Sequence, residues 1–465
     1  MNRATVQALP PVCAYSRSEM AAKLEVLEVV ALGGSEGLVR ESGIDRPSVE
    51  RGVGAVRDDW SLDVRGYAVG TAARVSHVEL SVAGRPVRRV SCNAARPALA
   101  AERPDLPGAG SSGFYATLSA LDLPQEFELR LDALLPDGGR AGIALIRGRR
   151  AAFTSSFAPR LQPLMVTGPG RAGSTIFMQM LAGHPNIAVH PPFDEEPRVA
   201  TFWVDVLRAL ARPESWLRQI NPAGRLDGDW WLGRGDFVPR RLRSESLQGW
   251  FAGQAVEDVA AFAQSRIEAV YARIEAEHGK SDATYFAEKL RNDSVPDLMW
   301  ELYPGAREVV LVRDPRDVFI SVLAARRKRG VRALPEDRVR WVEDEFRGRI
   351  MSVFDSWRRR SDRAHLVRYE DLMMRPRETL SAVADYLGLG TGAEVIEPMI
   401  DSAGRRLPGM EEHRTTADTA SSIGRWRRDL EPRLVEACER AVGPALEAWG
   451  YIPEYSSAPA RSPAK

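Results

Sequence analysis

The stretch Leu164-Met165-Val166-Thr167-Gly168-Pro169-Gly170-Arg171-Ala172-Gly173-Ser174-Thr175 constrains the fold most. Its apolar start reads as a buried parallel strand. Glycine-rich sequence follows, and Ile176 to Leu181 then supplies about two helical turns. A strand, a glycine loop and a helix start form the arrangement that binds phosphate. Glycine lets the backbone approach an anion, and the helix start offers unpaired N–H groups and the positive end of its dipole. The spacing Gly168-x-x-x-x-Gly173 matches the P-loop, yet Ser174 stands where a nucleoside triphosphatase has its lysine. Arg171 is the strong cation of the loop. The site suits an anionic group, but not ordinary ATP hydrolysis. On this stretch alone, a glycine-rich turn without a ligand is the alternative.

At 465 residues the chain exceeds one small core, and two domains are the starting expectation. With 64 Lys and Arg against 63 Asp and Glu, the net charge is +1. No global field therefore favours nucleic acid or an anionic membrane. The lysines are Lys23, Lys280, Lys289, Lys328 and Lys465, so nearly every cation is arginine and one arginine by itself says little. Cys13, Cys92 and Cys438 are odd in number and far apart, which suggests neither a metal site nor a disulfide framework. A reducing compartment is the simpler inference. No signal-peptide pattern opens the chain, and no run reaches the roughly 20 apolar residues that cross a bilayer. The expectation is a soluble, cytoplasmic protein with no membrane span. Nothing in the sequence selects an oligomeric state.

Residues 1–59 read as a leader, partly helical or disordered, with Ser18 to Leu32 as its helix. Residues 60–150 change texture. Val64 to Val69, Val75 to Val82, Phe114 to Leu118, Phe127 to Leu131 and Ile143 to Ile146 are short strand candidates, with Ala83-Gly84-Arg85-Pro86 as a turn. This spacing predicts an antiparallel β-sandwich, either a carbohydrate-facing or positioning domain or a packing domain. Residues 151–163 form a linker, 164–455 an α/β domain with a parallel sheet, and 456–465 a frayed tail. In the α/β part, Gln254 to Glu277 is an amphipathic helix, Tyr285 to Leu290 and Arg307 to Val312 are strands, and Asp314 caps a helix with Pro315 at its first position. Asp293 or Ser294 caps another, with Pro296 in its first turn. Pro335 to Arg360 is a long helix, His365 to Tyr369 a strand, and Arg377 to Leu387 and Pro432 to Trp449 are helices.

The second informative stretch is Val309 to Ser321. Arg313 falls at the carboxyl end of a parallel strand, where open α/β sheets bind ligands. Ser321 lies on the helix that follows. An arginine fork and a hydroxyl converging there suit a second phosphate; a cap and salt-bridge set of Arg313, Asp314 and Asp317 is the plainer alternative. The two stretches together resemble the sulfotransferases that use 3′-phosphoadenosine 5′-phosphosulfate. The loop with Arg171, Gly173, Ser174 and Thr175 is similar to their 5′-phosphosulfate loop. Arg313-Asp314-Pro315-Arg316-Asp317 with Ser321 is similar to their 3′-phosphate motif. His365 to Leu372 and Ser421-Ser422-Ile423-Gly424-Arg425-Trp426-Arg427 resemble later segments of the same enzymes. The resemblance covers about Leu161 to Tyr451. The loop departs from the commoner form at Gly170, Ala172 and Ser174, all small changes that keep the backbone donors.

The resemblance implies a P-loop-like fold of bacterial type, here preceded by a β-sandwich, and a hydroxyl or amine acceptor. Catalysis by position and electrostatics then needs no metal. Arg171 is implied to neutralise the leaving oxygen, with Gly170 to Thr175 holding the 5′-phosphate. Arg313 and Ser321 are implied for the 3′-phosphate, and Arg425 and Trp426 for closure over the nucleotide, unless they are an exposed arginine and a core indole. A carboxylate after the loop helix can take the acceptor proton, partial burial raising its pKa. In bacterial-type members a glutamate there precedes an Arg-x-Ala-x-aromatic-Trp run. Arg198 to Trp203 fits that register and selects Glu196, with Glu195 and His190 as alternates and an acidic surface turn as the plain reading. Glu288 and Lys289 either line the acceptor pocket or form a strand-end ion pair. The acceptor is a small molecule or, from the sandwich domain, a saccharide. The rivals are a magnesium-dependent P-loop kinase and a nucleotide-binding interaction domain without turnover.

Overall fold

The computed structural model describes residues 22–33, 37–48, 55–57, 59–106, 108–190, 198–211, 250–290, 297–328, 338–405 and 420–454. The chain divides into two compact units, residues 1–156 with 204–263, and residues 157–203 with 264–465.

Among the described residues the first unit is built on nine strands: β1 (Leu24–Ala31), β2 (Val39–Arg46), β3 (Ala55–Arg57), β4 (Ser61–Gly70), β5 (His77–Val82), β6 (Arg85–Ser91), β7 (Gly113–Ser119), β8 (Glu126–Leu134) and β9 (Arg140–Arg150). They form two antiparallel sheets, ordered β3-β1-β9-β8-β5-β6 and β2-β4-β7. On β4 Leu62, Val64 and Ala68 alternate onto one face, and Ser61, Asp63 and Val69 of the other face are buried as well.

Two expectations change here. The stretch expected as a helix within Ser18–Leu32 is strand β1, and the supposed leader also supplies β2 and β3. Local propensity favours helix there, but pairing with β9 and β3 supplies the backbone partners, and Val26, Val29 and Val30 suit a pleated surface. The turn after β5 is also shorter than expected. Ala83 and Gly84 alone make it, and Arg85 and Pro86 already belong to β6, an edge strand where proline is tolerated.

The second unit carries a five-stranded sheet, wholly parallel, in the order β11-β12-β10-β13-β14. Its strands are β10 (Gln162–Thr167), β11 (Ile187–Ala188), β12 (Tyr285–Lys289), β13 (Arg307–Val312) and β14 (Ala364–Arg368). The helices used below are α1 (Ser174–Gly183), α2 (Val199–Leu210), α3 (Ala255–His278), α4 (Pro315–Lys328), α5 (Arg347–Arg358), α6 (Tyr369–Met374) and α7 (Pro432–Ala448). Both faces of the sheet are covered. Val309 and Leu311 enter a core with α1, while Val310 and Val312 enter a second core with α4, α5 and α7.

The long helix expected over Pro335–Arg360 is interrupted by a π-helical turn at Val342–Phe346, just before α5. Tyr369, expected as the end of a strand, opens α6 instead. The cap expected at Asp293 or Ser294 lies outside the described residues.

One polar group is sealed under the sheet. Glu308 of β13 accepts from Thr167 Oγ1 at 2.7 Å and from Arg360 Nε and Nη2 at 2.7 and 2.8 Å. Removing one partner of such a pair strands the other charge in a low dielectric. Glu308→Ala is expected to lower unfolding stability by about 3–5 kcal/mol in urea titration. The double change with Arg360→Met should recover most of that, and additive losses would contradict a sealed pair.

Candidate functional site

The loop after β10 is shaped by two glycines. Gly168 has φ +149°, and a Cβ there would lie 2.1 Å from the Leu311 carbonyl oxygen of β13. Gly173, the N-cap of α1, has φ +92°, and its Cβ would strike the Tyr369 ring at 2.3 Å. Between them Arg171 takes a left-handed φ of 77°, a conformation that non-glycine residues seldom adopt. Ser174 and Thr175 form the first turn of α1, and Ala172 is buried, its N–H donating to the Pro169 carbonyl at 3.2 Å. A Cβ at Gly170 would meet nothing within 4 Å among the described residues.

The left-handed turn brings Arg171 to the second stretch. Its Nε donates to Ser321 Oγ on α4 at 3.1 Å. Arg313, the residue after β13, is 6 % exposed. Its Nη1 donates to the Arg171 carbonyl at 3.4 Å and its Nη2 to the Ser422 carbonyl at 2.5 Å. Its guanidinium lies 4.8 Å from the centre of the Tyr369 ring, and its buried Nε has no partner among the described residues. Arg171, Arg313 and Ser321 thus meet at the carboxyl ends of β10 and β13. Asp314 caps α4 as expected, its Oδ1 accepting from the Arg316 N–H at 2.9 Å. These groups fit an anion: a fixed guanidinium with a spare donor, beside a helix start lined by N–H groups.

Other candidates fall elsewhere. Trp426 is 1 % exposed in the core, with the Arg316 guanidinium 3.8 Å from its ring centre; it is the core indole of the two readings. Arg425 is half-buried and donates from Nε to Asp429 Oδ2 at 2.5 Å. Glu195 and Glu196 lie outside the described residues. His190 follows β11 by two residues, half-buried, with its Nδ1 enclosed and without a partner among the described residues. Lys289 ends β12 and is half-buried.

Glu288 is a structural anchor more than an open pocket group. It is 2 % exposed, and its Oε1 accepts from Tyr271 OH of α3 at 2.7 Å and from the Ala200 N–H of α2 at 2.9 Å. Burial pushes its carboxyl up to about 7, against the pull of those donors. Sequence reasoning included Tyr369 in the His365–Leu372 segment but gave it no role; its contact with Gly173 joins distant segments.

A model of the sulfotransferase family matches residues 163–392. Residues 163–392 of this chain carry a domain of that family. Mouse carbohydrate sulfotransferase 3 is 26 % identical over 160 residues, 31 % of this chain and 34 % of the relative, so the match spans about a third of that protein. Among solved structures, a sulfotransferase domain from the curacin biosynthetic pathway is 18 % identical with a TM-score of 0.36, covering 62 % of this chain and 98 % of its own. A mouse sulfotransferase complexed with PAP is 12 % identical with a TM-score of 0.35, covering 63 % and 87 %.

The Glu288 environment yields a stability prediction. The folded chain keeps a proton that the unfolded chain loses above about pH 4.4. The resulting stabilisation is present below that pH and lost as pH rises through about 7. Uncharged Glu288→Gln should lack this component, worth about 3 kcal/mol. The melting temperature of the wild type should therefore fall relative to the variant between about pH 5 and 8. Parallel curves would show that burial does not shift this group.

Proposed function

We propose that this sulfotransferase moves a sulfuryl group from 3′-phosphoadenosine 5′-phosphosulfate to a hydroxyl or amine acceptor. The observation that carries the reading is the meeting of Arg171 and Arg313, with Arg313 Nη1 donating to the Arg171 carbonyl and Arg171 Nε to Ser321 Oγ. Two cationic cradles opening two helices match a nucleotide with phosphate at both ends. The loop backbone from Gly170 to Thr175 would hold the 5′-phosphate, and Arg313 with Ser321 the 3′-phosphate.

In the transfer, a bond forms between the acceptor atom and sulfur while the bond from sulfur to the bridging phosphate oxygen breaks. Arg171 would stabilise charge on the oxygen that leaves with adenosine 3′,5′-bisphosphate. The acceptor proton would pass to Glu196, with Glu195 and His190 as alternates; this assignment rests on the register with Arg198 to Trp203. No metal is assigned a role. Similarity to mouse carbohydrate sulfotransferase 3 supports a saccharide acceptor. A cytoplasmic setting belongs to the proposal because Cys92 and Cys438 are free and buried. Among the described residues no helix is long and apolar enough to cross a membrane.

Calorimetry tests the donor. Adenosine 3′,5′-bisphosphate should bind without magnesium; magnesium-dependent ATP binding in its place would favour a kinase. Arg171→Ala should lower turnover with sulfate-labelled donor by at least about a hundredfold, the usual scale for a lost transition-state donor. Glu196→Ala should do the same, and full activity in either removes its assigned role. Arg313→Ala should chiefly raise the donor dissociation constant, by about ten- to a hundredfold. An unchanged constant would count against the 3′-phosphate placement.

A further inference from the structure

Residues 422–426 run beside Arg313, and Asp317 fastens them. Asp317 lies in the first turn of α4 and is 1 % exposed. Its Oδ2 accepts from the Gly424 N–H at 2.7 Å, and its Oδ1 from the Trp426 N–H at 2.9 Å. Both carboxylate oxygens are thus committed to backbone donors far away in sequence. Beyond them the Trp426 indole sinks into the core between the guanidiniums of Arg316 and Arg427.

The fastened segment delivers Ser422. Its carbonyl accepts from Arg313 Nη2, and its hydroxyl meets Tyr369 OH at 3.1 Å. Tyr369 in turn lies beneath Arg313 and against Gly173. One continuous run of contacts therefore leads from Asp317, through the 424 and 426 amides and Ser422, to both anion cradles.

The geometry points to Asp317 as a positioning residue for donor binding: by holding Ser422 against Arg313 and Tyr369, it sets the strength of the 3′-phosphate grip without touching the nucleotide. This rests on the reading of Arg313 as that grip. A carboxylate is required because one group must accept two amide hydrogens in divergent directions.

The charged groups around Asp317 bear on its ionisation. Arg313 and Asp314 precede it. Arg316 pairs with Asp314 and with Glu439 of α7, and Glu370 of α6 accepts the Asp314 N–H. The fastened segment carries Arg425, paired to Asp429, and Arg427, paired to Glu454. Burial pushes the Asp317 carboxyl up to about 6; the Trp426 and Gly424 amides and Arg313 oppose the rise, and Asp314 adds to it. A proton on one oxygen removes an acceptor, so the fastening is complete above about pH 6 and loosens below it. Fold stability moves the other way. The raised pKa favours the protonated folded form, and that contribution is lost as pH rises through about 6.

The test is calorimetric titration of the full chain with adenosine 3′,5′-bisphosphate and with adenosine 5′-phosphate. It compares wild type, Asp317→Asn, Arg313→Ala and the double variant. At about pH 7.5, Asp317→Asn should weaken the bisphosphate about tenfold and the monophosphate little. In the Arg313→Ala background it should add nothing. The wild-type to variant ratio should approach one below about pH 6; taking the ratio cancels the ligand's own phosphate titration near 6. Equal weakening of both ligands, an unchanged bisphosphate affinity, or additive losses in the double variant would overturn the inference. A wild type that ignores the bisphosphate at every pH would instead remove the donor reading beneath it. Should Asp317→Asn fail to fold, hydrogen exchange of the wild type decides. Protection of residues 422–429, corrected for intrinsic rates, should drop as pH falls through about 6 while that of β13 holds, and a constant ratio would overturn the assignment.

Discussion

A buried arginine cannot shed its proton, and the site depends on how Arg313 meets that constraint. Its desolvation has to be offset where it stands. Two carbonyls, from Arg171 and Ser422, and the face of Tyr369 supply part of the compensation, and Asp317 adds a nearby negative charge. Nε still points nowhere. A guanidinium held this way is fixed in direction and under-satisfied, which is the state that favours an arriving anion. The left-handed turn at Arg171 and the close approach of Gly173 to Tyr369 belong to the same arrangement, since each brings one of those partners into place.

The central parts of this arrangement were legible in the sequence. Apolar runs before Gly168 and Arg313 announced β10 and β13, and Asp314-Pro315 announced the cap of α4. Such signals are local: one strand, one turn, one helix start. What stayed hidden is what tertiary pairing decides. The valines of β1 sit among helix-forming neighbours, and only β9 and β3 make them a strand. The same holds for the site. Arg171 and Ser321 were readable as separate members of two motifs, but the contact of Tyr369 with Gly173, and the fastening of Ser422 by Asp317 through the backbone, join segments that no spacing rule connects. Trp426 could be read either as a lid or as core, because an indole beside arginines suits both until its burial is known.

Glu288 shows how a carboxyl near a cleft can work without facing it. Its occupied oxygen ties the first turn of α2 to Tyr271 of α3, so two helices and β12 meet at one enclosed group. Proximity to the strand ends first suggested contact with an acceptor. Enclosure makes it instead a support for the backbone just after the stretch that carries the proposed base.

The glycines also divide the loop into places that can and cannot change. A side chain at Gly168 would press on the carbonyl of Leu311 and wedge apart the two middle strands, so phosphate recognition and sheet integrity are one demand at that position. Among the described residues a side chain at Gly170 would meet nothing within 4 Å. Diversification of such a loop, by drift or by design, has its freedom at 170, where new reach toward a bound molecule can be tried while the scaffold beneath is left undisturbed.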